Sequence, residues 1–260
     1  ILSALFSLQV KRNKFIQFIL IMPFFIPIII FATAENFFVA NFSNEFKIVA
    51  TLERANPSDS IIFKESITLD QLKDKSIVAT SSPRRAAQVK LFNPSLEVCP
   101  VRGNIHTRIK KLKDNEFDAL VIATAALDRL QLNLENVEKI DSSIMLPAAT
   151  QAIIGIEVGR DINPQKLEII KSINHHETYF IASVERKIIK YLEGDCNSAI
   201  ALICKKIKES TFEVNLRAFD HKSLKVEKID MCFIEAELDQ FYLELFNKIE
   251  DLKIKELISN

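Results

Sequence analysis

The 260-residue sequence predicts an α/β fold with a parallel or mixed sheet, a small C-terminal α+β domain and an N-terminal hydrophobic helix. Three observations carry this. From Ile67 to about Asp128, short β-branched runs alternate with helical segments, the pattern of strands joined by helical crossovers. From Ala199 onward the alternation stops, and three strand-like runs follow one another before a final amphipathic segment. At the other end, Phe15 to Ala34 (FIQFILIMPFFIPIIIFATA) contains no charged residue.

The elements follow in order. Lys11, Arg12 and Lys14 precede the uncharged run, which by length and flanks is a transmembrane candidate with its basic side cytoplasmic. Pro23 and Pro27 are tolerated in such helices. The alternative is a hydrophobic piece outside any folded domain. KIVATLER (47–54) reads as a strand and NPSDS (56–60) as a turn. SIVAT (76–80), LEVCPV (96–101) and ALVIATAAL (119–127) read as strands, and SSPRRAAQVKLF and RGNIHTRIKKLKD open helices between them. AIIGIEV (152–158) reads as another strand. Glu177 to Glu193 has helical periodicity, with Phe180, Val184, Ile188 and Tyr191 on one face. AIALICKKI, TFEVNLRAF and KVEKIDMCFI read as successive strands, and about Glu235 to Leu257 as the closing helix.

Composition excludes several classes. Thirty-four basic residues balance 34 acidic ones, which argues against a general nucleic-acid or membrane-surface binder. Locally the balance breaks: from Ser81 to Lys113 there are eight basic residues against Glu97 alone. A nucleic-acid groove would interleave aromatics there, and only Phe92 is present. Four cysteines without a C-x-x-C pair suggest neither a disulfide framework nor a zinc site, and a reducing compartment is the simplest setting. Cys99, Cys204 and Cys232 lie in apolar runs and read as buried strand residues. Cys196 differs, because it follows Gly194 on a loop where a thiol can be reached. His175–His176 reads as a turn or cap rather than a metal pair, and no metal site is expected.

The basic stretch has the form of an anion site. Ser82 as N-cap with Pro83 at the first helical position opens a helix whose free N–H groups suit an anion. Thr80 and Ser81 add hydroxyls. Arg84 and Arg85 in the first turn oppose the helix dipole, which points to a bound carboxylate or phosphate as their partner. Arg102 ends the next strand, Gly103–Asn104 makes the turn, and Arg108 lies one turn into the following helix. Arg129 follows the third strand. Three strand ends thus deliver arginines to one edge, where ligands of open α/β sheets bind. Arginine pairs with carboxylates in bidentate fashion, so a polycarboxylate fits.

These segments together resemble the porphobilinogen deaminase (hydroxymethylbilane synthase) family. TSSPRRAAQ, LEVCPVRGNIHTRIKKL, FDALVIATAALDRL, LPAATQAIIGIE and NHHETYFIASVERKIIKYLEGDC follow each other in the family's order and spacing, from about Phe46 to Ala201 and more loosely to the end. The resemblance implies two periplasmic-binding-protein-like domains and a third α+β domain. It implies condensation of four porphobilinogen units with loss of ammonia, on a dipyrromethane primer held by a thioether at Cys196. It further implies that Thr80, Ser81, Ser82, Arg84, Arg85, Arg102, Gly103 and Asn104 line the primer site. Arg108, Arg129 and Gln151 would face substrate. The implied protein is a cytoplasmic monomer with porphobilinogen as its partner, no nucleic acid, and membrane contact only through 15–34.

Departures from the family pattern accompany the match. Its N-terminal arginine–serine motif, lysine-containing glycine-rich loop and Ser-Leu-Lys-Asp-Val-Pro segment with the catalytic aspartate do not occur, so no catalytic residue is assigned. Thr150 and Ala152 stand where glycines flank the family's glutamine. Asp195, Asn197 and Ala199 replace glycine, glutamine and proline around the cysteine. Asp195 is expected to shape the turn. The expected organisation is a non-family hydrophobic segment at 1–45, a remnant of domain 1 at 46–63 and 149–173, domain 2 at 64–148 and domain 3 at 174–260. That describes an amino-terminally truncated or rearranged deaminase. The competing expectation is a catalytically impaired fragment or a non-catalytic polycarboxylate-binding module.

Overall fold

A computed structural model describes residues 28–31, 46–132, 134–159, 161–195, 197–220 and 225–259. The chain begins with β1 (Ile28–Phe31), β2 (Phe46–Thr51), β3 (Asp59–Phe63) and β4 (Ile77–Ala79). Then come α1 (Pro83–Phe92), β5 (Glu97–Cys99), α2 (Ile105–Lys113), β6 (Ala119–Ala123), α3 (Thr124–Leu130) and β7 (Val137–Lys139). After these, β8 (Gly155–Gly159) leads to α4 (Pro164–Lys171) and α5 (His176–Tyr191). The last part is β9 (Ile200–Lys208), β10 (Thr211–Phe219), β11 (Val226–Ile234), α6 (Leu238–Asp251) and α7 (Ile254–Ser259).

Three sheets organise these elements. The largest has the order β5-β4-β6-β3-β7. β4 pairs in parallel with both β5 and β6, whereas β3 runs antiparallel between β6 and β7. Strand alternation divides its core into two layers. Ile61, Phe63, Val78 and Val121 face one side with Val89 of α1. Ile62, Ala79, Leu120 and Ile122 face the other with Ile109 and Leu112 of α2 and Leu127 of α3. Each fully buried Ile or Leu contributes roughly 1.5–3 kcal/mol.

The C-terminal sheet, β11-β10-β9, is an antiparallel meander with both faces covered. Leu202, Val214 and Leu216 pack under Val184 and Ile188 of α5 and Leu245 and Ile249 of α6. Ala201, Ile203 and Phe219 face the other way, sharing a buried cluster with Ala87 of α1 and Leu146. The α+β domain therefore rests on the helix that carries Arg84 and Arg85. On α5, Val184 and Ile188 are fully buried and Phe180 and Tyr191 pack beside them, as the periodicity predicts.

The large sheet is mixed, within the expected parallel or mixed arrangement, while several other expectations require correction. The mixed order arises because of β3, which reverses direction. Its first residue, Asp59, lies inside the segment read as a turn, and the pairing of 59–63 places that strand with the residues assigned to domain 2. The run read as a strand over 119–127 is strand only to Ala123. There the Thr124 hydroxyl meets those of Ser58 (2.9 Å) and Ser60 (2.8 Å), and the alanine-rich TAALDRL continues as helix. β8 is the middle strand of a separate antiparallel sheet, β1-β8-β2. Part of the uncharged run expected as a helix is strand: Ile28–Phe31 pairs with the edge of β8 that β2 leaves open. β-branched residues suit that pairing as well as a helix. The rest of 15–34 lies outside the described residues, among which no helix is long and apolar enough to cross a membrane. The closing helix breaks into α6 and α7 at Lys253, which adopts φ 52°. Cys232 is exposed rather than buried.

Candidate anion-binding site at the strand ends

The site is built from two capped turns. After β4, the Ser82 side chain caps α1 by accepting the N–H of Arg85 at 3.5 Å, with Pro83 in the first turn. Thr80 Oγ1 accepts the N–H of Ser82 at 3.2 Å. Ser81 donates to the carbonyl of Val101 at 2.5 Å and accepts its N–H at 3.0 Å, joining this turn to the one after β5. In that second turn Gly103 has φ +112°, and a Cβ there would stand 2.8 Å from Thr107 Cγ2, so glycine is required. Asn104 caps α2 by accepting from Thr107 N at 2.9 Å. Arg108 Nε donates to the Gly103 carbonyl at 2.7 Å. Arg102, Gly103, Asn104 and Arg129 are exposed, and Arg108 is half-buried. The parallel order β5-β4-β6 sets these strand ends side by side.

Arg84 and Arg85 behave differently. Both are buried and turn to a carboxylate of the protein itself. Arg84 Nη1 lies 2.7 Å from Asp59 Oδ2, and Arg85 Nη2 lies 2.8 Å from Asp59 Oδ1. Burial opposes charge on Asp59, but the two guanidinium groups outweigh it and hold the carboxyl below its ordinary range. Burial likewise lowers Arg84, with Asp59 opposing. Arg84 Nε is buried without a hydrogen-bond partner. The anion expected to answer the cations at this helix start is thus supplied, in part, by Asp59.

Gln151 joins this cluster to the rest of the molecule. Its side chain accepts from Arg84 Nη2 at 3.2 Å and donates to Asp59 Oδ1 at 3.0 Å and to the Pro57 carbonyl at 2.6 Å. Its carbonyl accepts from Arg54 Nε at 3.0 Å, and Arg54 Nη1 reaches Glu185 of α5 at 2.7 Å. Glu185 also accepts the N–H groups of Thr150 and Cys204. The positions flanking Gln151 are both left-handed, Thr150 at φ 57° and Ala152 at φ 67°, where a glycine would carry no strain.

Cys196 lies outside the described residues, but its neighbours are placed. Asp195 accepts from Asn197 N (2.8 Å), Ser198 N (2.9 Å) and Ser198 Oγ (2.9 Å), which fixes the turn and lowers its own pKa, the Asn197 N–H first. This is a turn-forming role, as expected. A cavity of about 520 Å³ adjoins it, lined in part by Asn197, Ser198, Lys255 and Ser259. Ala199 shares the buried cluster with Ala87 of α1, the arginine-bearing helix. His175 caps α5, accepting from Thr178 N at 3.3 Å. No metal-binding cluster occurs among the described residues.

The structure therefore brings Thr80, Ser81, Ser82, Arg102, Gly103, Asn104 and Arg108 to two adjoining turns. It draws Arg84, Arg85 and Gln151 into a buried network. Sequence reasoning missed Asp59, Arg54 and Glu185. The available signal was an acid opening an apolar run, DSIIF, in a chain with two adjacent arginines to match it.

The family described as porphobilinogen deaminase, dipyromethane cofactor binding domain, matches residues 38–166. The porphobilinogen deaminase of Clostridium botulinum (strain Loch Maree / Type A3) is 35% identical over 183 residues, covering 70% of this chain and 62% of that protein. That of Lawsonia intracellularis is 38% identical, covering 62% of this chain and 53% of its own length. That of Halalkalibacterium halodurans is 41% identical, covering 60% and 50%. The chain thus spans between half and about three fifths of the length of these curated relatives. Among solved structures, the BvgS periplasmic VFT2 domain of Bordetella pertussis has a TM-score of 0.33 at 16% identity, covering 56% of this chain and 60% of its own. The ancestral cationic amino acid solute binding protein AncCDT-1 has a TM-score of 0.33 at 15% identity, covering 56% and 61%.

Proposed function

The chain belongs to the porphobilinogen deaminase family, and from that membership we propose that it holds a dipyrromethane group on Cys196 and serves the stepwise condensation of porphobilinogen to hydroxymethylbilane. It would do so as a cytoplasmic monomer. The observation that supports this best is that Ala199, three residues beyond Cys196, shares a buried cluster with Ala87 of the helix that bears Arg84 and Arg85.

The donor set fits a group rich in carboxylates. Arg102 stands exposed just after β5 and Arg108 half-buried in α2, Arg129 is exposed in the last turn of α3 rather than at the end of β6, and one buried N–H of Arg84 has no hydrogen-bond partner. Thr80, Ser81, Ser82, Gly103 and Asn104 would shape the floor. Cys196 would hold the group through a thioether in place of its thiol proton. When bound, the dipyrromethane supplies the pyrrole terminus that is extended. The arginines bind and orient its carboxylates, and the fixed turns at Ser82 and Asn104 pre-pay the ordering of that edge. Gln151, enclosed by protein, holds the arginine cluster rather than touching substrate.

Intact mass spectrometry of the full chain tests the reading. After exposure to porphobilinogen, wild type should carry a dipyrromethane adduct that Cys196→Ser lacks, and porphobilinogen consumption should release ammonia. A bare thiol in wild type overturns it. A second reading, carboxylate binding without turnover, is favoured by the pairing of Arg84 and Arg85 with Asp59. An adduct or bound anion with no tetrapyrrole product would select it.

A further inference from the structure

We propose that Asp59 is a positioning residue that sets the charge the arginine edge presents to a ligand carboxylate, by neutralising one of the two charges of Arg84 and Arg85 and fixing the direction of both. This role rests on the reading of the edge as a carboxylate site, and it adds a residue that makes no ligand contact itself.

Asp59 is fully buried, and its main chain is held on both sides of β3, by the register with Ala123 of β6 and by the Ile140 N–H on its carbonyl at 2.9 Å. Both carboxylate oxygens are occupied. Oδ2 accepts from Arg84 Nη1 at 2.7 Å, and Oδ1 accepts from Arg85 Nε at 3.0 Å and Gln151 Nε2 at 3.0 Å, with Arg85 Nη2 at 2.8 Å. Two cations on consecutive residues of a first helical turn repel each other and oppose the helix dipole. With Asp59 between them, the trio carries one net positive charge. The side chains of Arg84 and Arg85 are only 4% and 9% exposed. Their effect on a ligand seated at exposed Arg102 and half-buried Arg108 is therefore that of a field rather than of a contact, and the field depends on the sum. Removing the negative charge at this depth is expected to strengthen binding of a nearby carboxylate about tenfold at low ionic strength.

A residue that merely braces the fold gives the opposite sign, since its loss disorders the edge and weakens binding. The test is titration of the full chain with porphobilinogen and, separately, with succinate, at low and high salt. Asp59→Asn is expected to bind both anions about tenfold more tightly than wild type at low salt, with the gain shrinking at high salt. The double variant Asp59→Asn/Arg85→Gln, which restores the net charge, is expected to return to wild-type affinity. If Asp59→Asn does not fold, Arg85→Gln, which keeps the Arg84–Asp59 pair, should weaken binding by a similar factor and flatten the salt dependence. Unchanged or weaker binding by folded Asp59→Asn, or unchanged binding by Arg85→Gln, overturns the charge-setting role. Should wild type bind porphobilinogen while Asp59→Asn binds it no better, that role falls and the pyrrole reading stands. Tightening toward succinate without any porphobilinogen binding leaves the role standing and removes the pyrrole reading. No binding of either anion by wild type overturns both.

Discussion

Arg54 Nη1 lies 2.7 Å from Glu185 Oε1, and Glu185 is fully buried. The pair bridges the chain leaving β2 and the middle of α5, while the other Glu185 contacts reach Thr150 and β9. One carboxylate thus fastens all three sheets' connections. Glu185→Ala leaves a buried guanidinium and two buried N–H groups unanswered. It is expected to cost about 3–5 kcal/mol, read as a shift of the urea midpoint at constant slope.

Asp59 makes stability depend on pH in a defined direction. Its carboxyl is held below the ordinary value of 3.8 in the folded chain. The unfolded chain therefore binds the proton first as pH falls, so the stabilisation is complete above the unfolded value and is lost as pH drops through the folded one. Denaturation titrations between pH 5 and the acid limit, on the order of pH 2, should show this slope in wild type and a shallower one in Asp59→Asn.

Backbone geometry gives paired predictions of opposite sign. Ala152, at φ 67°, pays left-handed strain, so Ala152→Gly is expected to stabilise by about 0.5–1 kcal/mol after the greater freedom of unfolded glycine is deducted. Gly103→Ala brings a Cβ to 2.8 Å from Thr107 Cγ2 and is expected to destabilise by about 1–2 kcal/mol. It should also loosen anion binding, because Arg102 and Asn104 flank the turn. Calorimetric melts of both variants check the pair.

The cysteines should label unequally. Cys204 is buried, and burial, with Glu185 adding to it, pushes its thiol pKa strongly up. Cys99 is half-buried with its thiol also raised by burial, and Cys232 is exposed. Among these three, iodoacetamide with peptide mapping should modify Cys232 first, then Cys99, and Cys204 only on unfolding. Equal rates would show that the C-terminal core is open.

What was legible in the sequence was local. Ser82–Pro83, Asn104 and His175 announced helix starts because capping depends on the few residues around it. The face of α5 was legible because the 3.6-residue period needs no partner. Strand partnership was not. GIEVG carries no mark of which sheet will take it, and a strand buried on both faces lacks the alternation that would set its side. Asp59 was obscured because NPSDS has turn composition, while its strand character comes from neighbours supplied by β6 and β7. The target of Arg84 and Arg85 was hidden for the same reason, since it lies 25 and 26 residues away.

The union of β2 with the start of α5 has a consequence for how the molecule assembles. Thr51 N donates to Asn174 Oδ1 at 2.8 Å across 123 residues of chain, and His175 N answers to the Thr51 carbonyl. Such a closure gains nothing until the intervening sheet has shortened the path between its ends. The small sheet is therefore expected to form last in refolding and to open first in hydrogen exchange, whereas the meander beyond it can nucleate from neighbours in sequence alone.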